Sequence, residues 1–528
     1  MTSAPPRARI DTVVIGAGCN GLVAAIGLAR AGSKVLVAEA SPVLGGVLGE
    51  IEFAPGFRAA PLAHDLGWIP RDVVVGAGLR LGPRVRSDPS LIGLHDGEPL
   101  SLRPGSAETA AALRRFSGRD AERWPAFVEQ VRSITGFLGR LYRIPPPRID
   151  ADSLAEFVSL ARLGQSLRGL GKHEMIEVLR TVPLSAAEWL DDWFESDRLK
   201  GLLGGLAIAD VGHGPMAGGT AFTFLHRHVG GEAGVFGERV RLAGGSRWLI
   251  GQLEDRARAA GVEFALDRRV DGVVIRNDRV AGVRFASGEE RECGEVVSSL
   301  DPRRTLLELL DPVHLDPEFI HAVTNIRYRG VTTKVLVALD SIPLIPGCPE
   351  YRGGAITIAP SLRHLERAAD AAKYGQISTE PYLEIRFPSL DQPDLAPPGR
   401  QVAVIHVQYT PYRLREGSWE ARGSEVGAAA IDRVNRHLPG FADRVLHHLV
   451  LTPTDLERRF GLREGAVSQG EMLLDQILFM RPVAGWARYA TPMPGLFLCG
   501  SGSHPGGGIT GMSGWLAAQA VLAARSTG

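Results

Sequence analysis

Thirty-four residues near the start, Val13 to Gly46 (VVIGAGCNGLVAAIGLARAGSKVLVAEASPVLGG), constrain this chain more than any other stretch. Val13-Val14-Ile15 is a short apolar run of the kind that makes a strand buried on both faces. It ends in Gly16-Ala17-Gly18-Cys19-Asn20-Gly21, a GxGxxG turn, after which Leu22, Val23, Ile26, Leu28 and Ala29 recur at helical spacing. Gly32 stops that helix, and Lys34 to Ala38 forms a second apolar strand with Glu39 and Ala40 at its end. Each glycine has a physical reason. Gly16 permits the tight turn, Gly18 lets the backbone approach a pyrophosphate, and Gly21 lets helix and strand pack closely. The helix N-terminus offers free N–H groups to phosphate, and Glu39 stands where a carboxylate accepts ribose hydroxyls. Strand, glycine turn, helix, strand and terminal acid together predict an adenine dinucleotide site.

The chain has 528 residues, too long for one ordinary core, so two domains are expected. Lys+Arg and Asp+Glu both number 59, and with no net field neither nucleic acid nor an anionic membrane is an expected partner. Cys19, Cys293, Cys348 and Cys499 lie far apart and form no C-x-x-C. A disulfide framework and a redox dithiol are therefore not expected, and a cytoplasmic location is. Met1 to Asp11 has no apolar core of a signal peptide. Val13 to Ala29 is short, glycine-broken and explained by the dinucleotide fold rather than by a membrane span. Peripheral membrane contact is left open.

Leu91 to Leu102 reads as two strands around an Asp96-Gly97 turn. Val47 to Pro61 reads as turn-rich. Trp124, Phe127, Val128, Val131, Ile134, Leu138 and Leu141 predict an amphipathic helix, and helical texture continues from Ser153 to Gly204. Trp189, Trp193 and Phe194 fall on a core or pocket face. A helix from Gly244 to Gly261 leads into strands at Val262–Phe264, Arg269–Arg276, Val280–Phe285 and Glu295–Ser299. Further strands are expected at Thr333–Leu339, Tyr382–Phe387 and Val402–Tyr409, with Asp370 to Pro381 a loop. This alternation places residues 1–105, 240–300 and 471–528 in a discontinuous dinucleotide-binding domain. Residues 106–239 and 301–470 form a discontinuous substrate domain of mixed helix and sheet.

The last stretch repeats the opening logic. Leu496 to Cys499 is a strand, Gly500-Ser501-Gly502-Ser503-His504-Pro505-Gly506-Gly507-Gly508-Ile509-Thr510-Gly511-Met512 a glycine-rich loop, and Ser513 to Ala524 a helix. A helix N-terminus there can stabilise negative charge at the N1–C2=O edge of a flavin. With Val297 to Arg304, Ala372 to Gly375, Glu380 to Glu384, Val407 to Arg413, Leu474-Asp475-Gln476 and Arg481 to Trp486, the whole chain resembles the phytoene dehydrogenase-related NAD(P)/FAD-dependent oxidoreductases, within the flavin amine oxidase-like group.

The resemblance implies an α/β fold, with a Rossmann-like FAD-binding domain of the GR2 type joined to a discontinuous α+β substrate domain. It implies FAD held along Gly16, Gly18, Asn20, Gly21, Glu39 and Ala40, with Gly45, Gly46 and Val47 passing the pyrophosphate and flavin. Val270 would meet the adenine through its backbone, and Gly500, Ser501, Gly511 and Met512 would line the ribityl chain and ring. The acid at Glu39 independently fits FAD or NAD rather than NADP. Cys19, Gln469 and Trp515 depart from the family pattern, where His, a His-Gly pair and Arg are frequent. FAD binding survives those departures, and the substrate is left open.

Hydride transfer to flavin N5 asks the protein to orient a C–H bond and, where a proton leaves, to accept it. His504, in the glycine loop, is the candidate for that role. His64, Gln469, Arg481 and Trp486 are candidates for the substrate pocket. His226-Arg227-His228 and His447-His448 lack partners at ligand spacing, so no metal site is expected. The expected activity is dehydrogenation or desaturation of a lipophilic substrate, such as a polyene or secondary metabolite, with oxygen, a quinone or NAD(P) as electron acceptor. An amine or C–N oxidase, a flavin-dependent isomerase and a non-catalytic flavin scaffold remain alternatives.

Overall fold

The computed structural model describes residues 10–63, 66, 68–147, 164–165, 168–237 and 241–527. His64 and Asp65, and the start of the helical stretch expected from Ser153, lie outside the described residues.

Three distant pieces of chain build one parallel sheet. Its strands run Leu496–Leu498, Glu295–Ser298, Thr12–Ile15, Val35–Ala38 and Glu263–Ala265 in that spatial order. Each is only three or four residues long. The inner strands are covered on both faces, which is why Val13 to Ile15 and Val35 to Ala38 are unbroken apolar runs. Helices Cys19–Arg30, Gly245–Ala259 and Met512–Thr527 cover one face, through Leu22, Ile26, Leu249, Leu253, Leu516 and Val521. An antiparallel meander, Val270–Arg276, Arg279–Phe285 and Glu290–Glu292, covers the other through Val273, Val283 and Phe285.

The second sheet has seven strands, ordered Val445–Leu451, Thr332–Leu339, Gln401–Gln408, Leu383–Arg386, Ala355–Ile358, Leu91–Leu94 and Leu100–Leu102. One face packs Val335, Val337, Ile385 and Ile405 against helix Trp419–His437. Period-two alternation sends Lys334, Glu384 and His406 to the opposite face.

A helical layer completes this half. In helix Gly118–Leu141 the Phe127 ring lies 5.1 Å from Trp189 and 4.9 Å from Phe194, so the aromatic stripe is core. The indole N–H groups of Trp189 and Trp193 both donate to Gln130 Oε1, at 3.0 and 3.1 Å. A single amide therefore satisfies two large polar-tipped rings.

The structure differs from the expected layout in three places. The Leu91 to Leu102 hairpin does not belong with the dinucleotide-binding domain that residues 1–105 were expected to form. Leu91–Leu94 pairs in parallel with Ala355–Ile358. Leu91, Leu100 and Leu102 pack into the helical core while Ile92 and Leu94 face the other side of the sheet, so both faces find cover only here. The expected loop from Asp370 begins inside helix Leu362–Lys373, whose Leu365, Ala368, Ala369 and Ala372 are buried. The turn-rich Val47 to Pro61 contains a short hairpin, Ile51–Ala54 with Phe57–Ala59. Among the described residues no helix is long and apolar enough to cross a membrane.

The two sheet-end helices meet through glycine. A Cβ at Gly514 would lie 2.0 Å from the carbonyl oxygen of Asn20, a backbone atom that cannot swing aside. Gly514→Ala is therefore expected to destabilise the protein by about 1–3 kcal/mol. Gly136→Ala, where the new methyl meets nothing within 4 Å on a helix interior, is expected to be stabilising by about 0.5–1 kcal/mol. Thermal unfolding of the two variants, side by side, checks both signs.

Candidate active site

The strand Thr12–Ile15 delivers its last residue into a turn that only glycine can make. Gly16 has φ +92°, and a Cβ there would fall 2.3 Å from Ser299 Oγ. A Cβ on Gly21 would lie 2.0 Å from the Gly16 carbonyl oxygen, so helix and strand approach as closely as their backbones allow. Gly18 is the opposite case: its flank is open, with nothing within 4 Å. No side chain caps the helix that begins at Cys19, which leaves its first-turn N–H groups and the positive end of its dipole facing that opening. Gly45 closes against this turn, its N–H donating to the Ala17 carbonyl at 3.0 Å. Gly46 follows with φ +54°, packed against Gly18.

Glu39 stands at the strand end, half-buried. Its Oε2 accepts from the Ala17 N–H at 2.7 Å and its Oε1 from the Ser41 N–H at 2.8 Å. Those bonds hold the carboxylate in place and leave each oxygen a further lone pair for a hydroxyl. Arg268, whose N–H donates to the Glu39 carbonyl at 2.8 Å, sends its guanidinium to Glu289. It leads into the strand that begins at Val270. Across the sheet, Ser513 Oγ donates to the Gly500 carbonyl at 2.8 Å and the Met512 N–H to Thr510 Oγ1 at 3.1 Å, holding a second helix start beside the first. An open, uncapped helix N-terminus with a ribose-accepting acid beside it fits FAD. Gly16, Gly18, Asn20, Gly21, Gly45 and Gly46 would hold its pyrophosphate and Glu39 its ribose.

Between this cradle and the seven-stranded sheet lies a cavity of about 120 Å³. Val47, Ser501, Gly508 and Ile509 form its wall on the glycine-loop side, and Leu62 and Val467 add apolar surface. The opposing wall is charged: Asp210, Arg227, Lys334, Glu384 and His406. Three of these form a row on adjacent strands, with Lys334 registered to His406 and His406 to Glu384. Each is only 4% exposed. Lys334 Nζ donates to His406 Nδ1 at 2.9 Å. Glu384 accepts from Arg386 Nε at 2.8 Å, from the Tyr382 hydroxyl at 3.2 Å and from Arg227 at 3.3 Å. Asp210 accepts from Thr332 Oγ1 at 3.0 Å, and against the cost of burial the Lys334 and Arg227 charges hold its carboxyl below the usual range. Burial, reinforced by the Lys334 charge, pushes His406 down to about 4, so its imidazole is neutral. A second cavity of about 60 Å³ shares Asp210, Arg227, Val467, Ser468 and Gly508 with the first.

Of the residues expected to hold FAD, Val47 and Ser501 line this cavity, whereas Gln469, Arg481, Trp486 and His504, expected at the substrate, do not. The catalytic expectation for His504 is corrected. Its ring is buried against the end of helix Gly118–Leu141, with Nε2 at 3.3 Å from the Leu141 carbonyl, and it does not line the cavity. Gln469 is a clasp rather than a pocket residue: its Nε2 donates to the Ser299 carbonyl and its Oε1 accepts from the Gly502 N–H, each at 3.0 Å. Arg481 is likewise internal. Its guanidinium bonds the carbonyls of Ser501, Glu471, Gln476 and Ser468, and burial lowers it to about 10. Trp486 packs edge-on against Phe319, 5.7 Å away. His64 lies outside the described residues. All four cysteines are unpaired thiols.

The charged row was missed in the sequence, although a signal existed. Lys334 in TTKVLVAL, Glu384 in LEIR and His406 in VAVIHVQ each interrupt an otherwise apolar strand. A polar residue in such a run needs a buried partner. Their register, which makes them one row, is set only by strand order.

Two measurements follow from this geometry. Glu39→Arg is expected to weaken FAD binding by about 2–4 kcal/mol through lost acceptor bonds and a misplaced charge; titration of the apoprotein with FAD reads it. His504, pushed by burial to about 4 from an ordinary 6.5, stays neutral when folded. Below pH 6.5 the unfolded chain takes up a proton that the folded chain refuses, so stability falls as pH drops toward 4. Between pH 7 and 5 this amounts to about 2 kcal/mol. His504→Asn should lose that much less stability over the same interval in denaturant titrations.

Comparison with known proteins places the chain. Residues 74–522 match the family model described as flavin containing amine oxidoreductase, and residues 14–68 match an NAD(P)-binding Rossmann-like domain. A rat protein named pyridine nucleotide-disulfide oxidoreductase domain-containing protein 2 is 33% identical, the alignment covering 97% of this chain and 93% of that one. The lycopene-forming phytoene desaturase of Pseudescherichia vulneris is 24% identical, over 95% and 96%. Among solved structures, an oxidoreductase from Methanosarcina mazei has the same fold, with a TM-score of 0.60 at 17% identity, covering 97% of this chain and all of that one. The family match over most of the chain agrees with the cradle at Gly18 and Glu39: the chain belongs to the flavin containing amine oxidoreductase family and is an FAD-dependent oxidoreductase.

Proposed function

We propose that this protein is an FAD-dependent dehydrogenase acting on a lipophilic substrate that ends in an oxygen-bearing polar group. The observation that carries this reading is the mixed lining of the cavity, in which Val47, Leu62, Val467 and Ile509 are apolar and Asp210, Arg227, Lys334, Glu384 and His406 are polar. A pure hydrocarbon polyene would strip water from these buried charges without replacing its hydrogen bonds, which is costly. A carbonyl, carboxylate or hydroxyl at one end of the molecule would replace them. On the wall Lys334 and Arg227 match Asp210 and Glu384 in number, with His406 neutral, and Glu384 is already held by Arg227, Tyr382 and Arg386. With Glu384 so held, the wall suits an electron-rich oxygen better than an ammonium group, and this places the amine-oxidising reading second.

Bound FAD supplies the hydride acceptor. The residues of the chain orient the substrate. Lys334 and Arg227 donate to its polar end, the apolar wall excludes water from the hydrocarbon, and the ionised Asp210 balances their charge. For reoxidation we propose oxygen, a quinone or NAD(P)⁺, to be compared directly.

Anaerobic mixing with a matched polyene hydrocarbon, alcohol, acid and amine, followed by bleaching of the flavin band, tests the reading. The alcohol or acid should reduce the flavin faster than the hydrocarbon or amine. Lys334→Met should slow that reduction by about ten- to a hundredfold, the worth of one charged hydrogen bond of about 1.5–3 kcal/mol, with FAD content unchanged. Fastest reduction by the hydrocarbon would refute the polar end. Turnover only after dithionite treatment would point to an isomerase, and no response to any of them to a scaffold.

A further inference from the structure

Two backbone carbonyls at the end of one helix determine, through a chain of forced hydrogen bonds, how Lys334 is held. Helix Asp197–Ile208 ends beside Asp210, a residue in the left-handed region at φ +64°. The turn leaves the carbonyls of Ile208 and Val211 aimed at Gln408, whose Nε2 donates to them at 2.7 and 2.8 Å. A carbonyl only accepts, so the amide nitrogen of Gln408 must lie on this side and its oxygen on the other. That oxygen accepts from the Asp210 N–H at 3.1 Å, faces the Thr332 hydroxyl at 3.4 Å and lies 3.0 Å from His406 Nε2. Gln408 Oε1 has no proton to give, so His406 Nε2 carries one. The Nδ1 of the same ring then accepts from Lys334 Nζ, 2.9 Å away.

We infer that Gln408 is a positioning residue: by presenting an oxygen to His406 Nε2, it fixes the Nε2–H tautomer of the imidazole, whose bare Nδ1 anchors Lys334 at the cavity wall. The other charges around His406 make this choice consequential. Asp210 Oδ1 is 3.8 Å from its Nδ1, Glu384 is its cross-strand neighbour, and both favour a protonated ring. Burial and Lys334 oppose them, and the Tyr382 ring packs edge-on against the imidazole, with its centroid 6.1 Å away. A second negative charge in place of the Gln408 amide would tip the ring to imidazolium, and an imidazolium Nδ1–H cannot accept from Lys334. That Lys334 thereby meets substrate rests on the function proposed above. The state of His406 does not, and it can be read with no substrate present.

The experiment is nitrogen NMR of the FAD-loaded protein labelled with ¹⁵N-histidine, His406 being identified by the resonance lost in His406→Asn. A second sample labelled at lysine follows Lys334, one of five lysines. The wild type should show His406 protonated at Nε2 and bare at Nδ1, without titrating down to pH 5, and a slowly exchanging Lys334 ammonium. Gln408→Glu should raise the titration of His406 by two pH units or more, a hundredfold change in proton affinity, and abolish the Lys334 signal. A wild-type His406 protonated at Nδ1, or doubly protonated at pH 7, overturns the proposal whether or not the variant folds. So does a folded Gln408→Glu protein in which both signals are unchanged, since Gln408 would then serve only the helix end.

Discussion

Close approach of backbone to backbone is the constraint on which the cofactor half of this molecule depends. The carbonyl of Gly16 lies where a side chain of Gly21 would be, and the carbonyl of Asn20 lies where one of Gly514 would be. Because Gly16, Gly21 and Gly514 dispense with Cβ atoms, two helices begin side by side at the ends of two parallel strands with one strand between them. The uncapped N–H groups of the helix from Cys19 then lie beside the start of the second helix, and the two positive dipole ends neighbour one another. A bulkier residue at any of these points would part the helices and disperse those positive ends. The binding of an anionic dinucleotide is in this sense a packing property before it is a chemical one.

The substrate side is organised by a different cost. Lys334, Glu384 and His406 sit on a sheet whose other face is aliphatic, and each is nearly sealed from water. Buried charge is tolerated only when its bonds are complete. Here they are shared among Arg227, Arg386, Tyr382, Asp210 and Thr332. The network runs from the sheet to the end of helix Asp197–Ile208 through Gln408, so that the helical layer and the sheet meet in a single polar knot. Arg481 plays the matching part across the cavity. Its guanidinium gathers the carbonyls of the Ser468 to Gln476 loop and of Ser501, and keeps the glycine-loop wall facing the charged row.

How far the sequence could be read divides along the same line. The dinucleotide cradle was legible because its determinants are local: a strand, a turn and a helix contiguous in chain, followed by an acid one strand later. The closing loop was legible for the same reason. His504 was misjudged because nearness in sequence to a cofactor loop says nothing about the direction of a ring, and this ring packs against the end of a helix more than three hundred residues earlier. Gln469 and Arg481 were placed in the right neighbourhood, yet their polar atoms are consumed by backbone carbonyls and amides that no spacing rule reveals. The Leu91 to Leu102 hairpin read correctly as two strands but joined the other sheet, since its two faces are covered only there.

The sequence by itself determined the strand, glycine turn, helix and second strand with its terminal acid, and with them the place where FAD would lie, because glycine positions and apolar runs act through neighbours a few residues away. Only the tertiary structure decided what faces the substrate. Lys334, Glu384 and His406 come from strands distant in the chain, and they become one surface only when strand order and register bring them together. Glu384 pairs across the sheet with His406, and His406 with Lys334, at separations of twenty-two and seventy-two residues. Side-chain chemistry is written in the sequence, but the adjacency that turns it into a site is a product of sheet pairing.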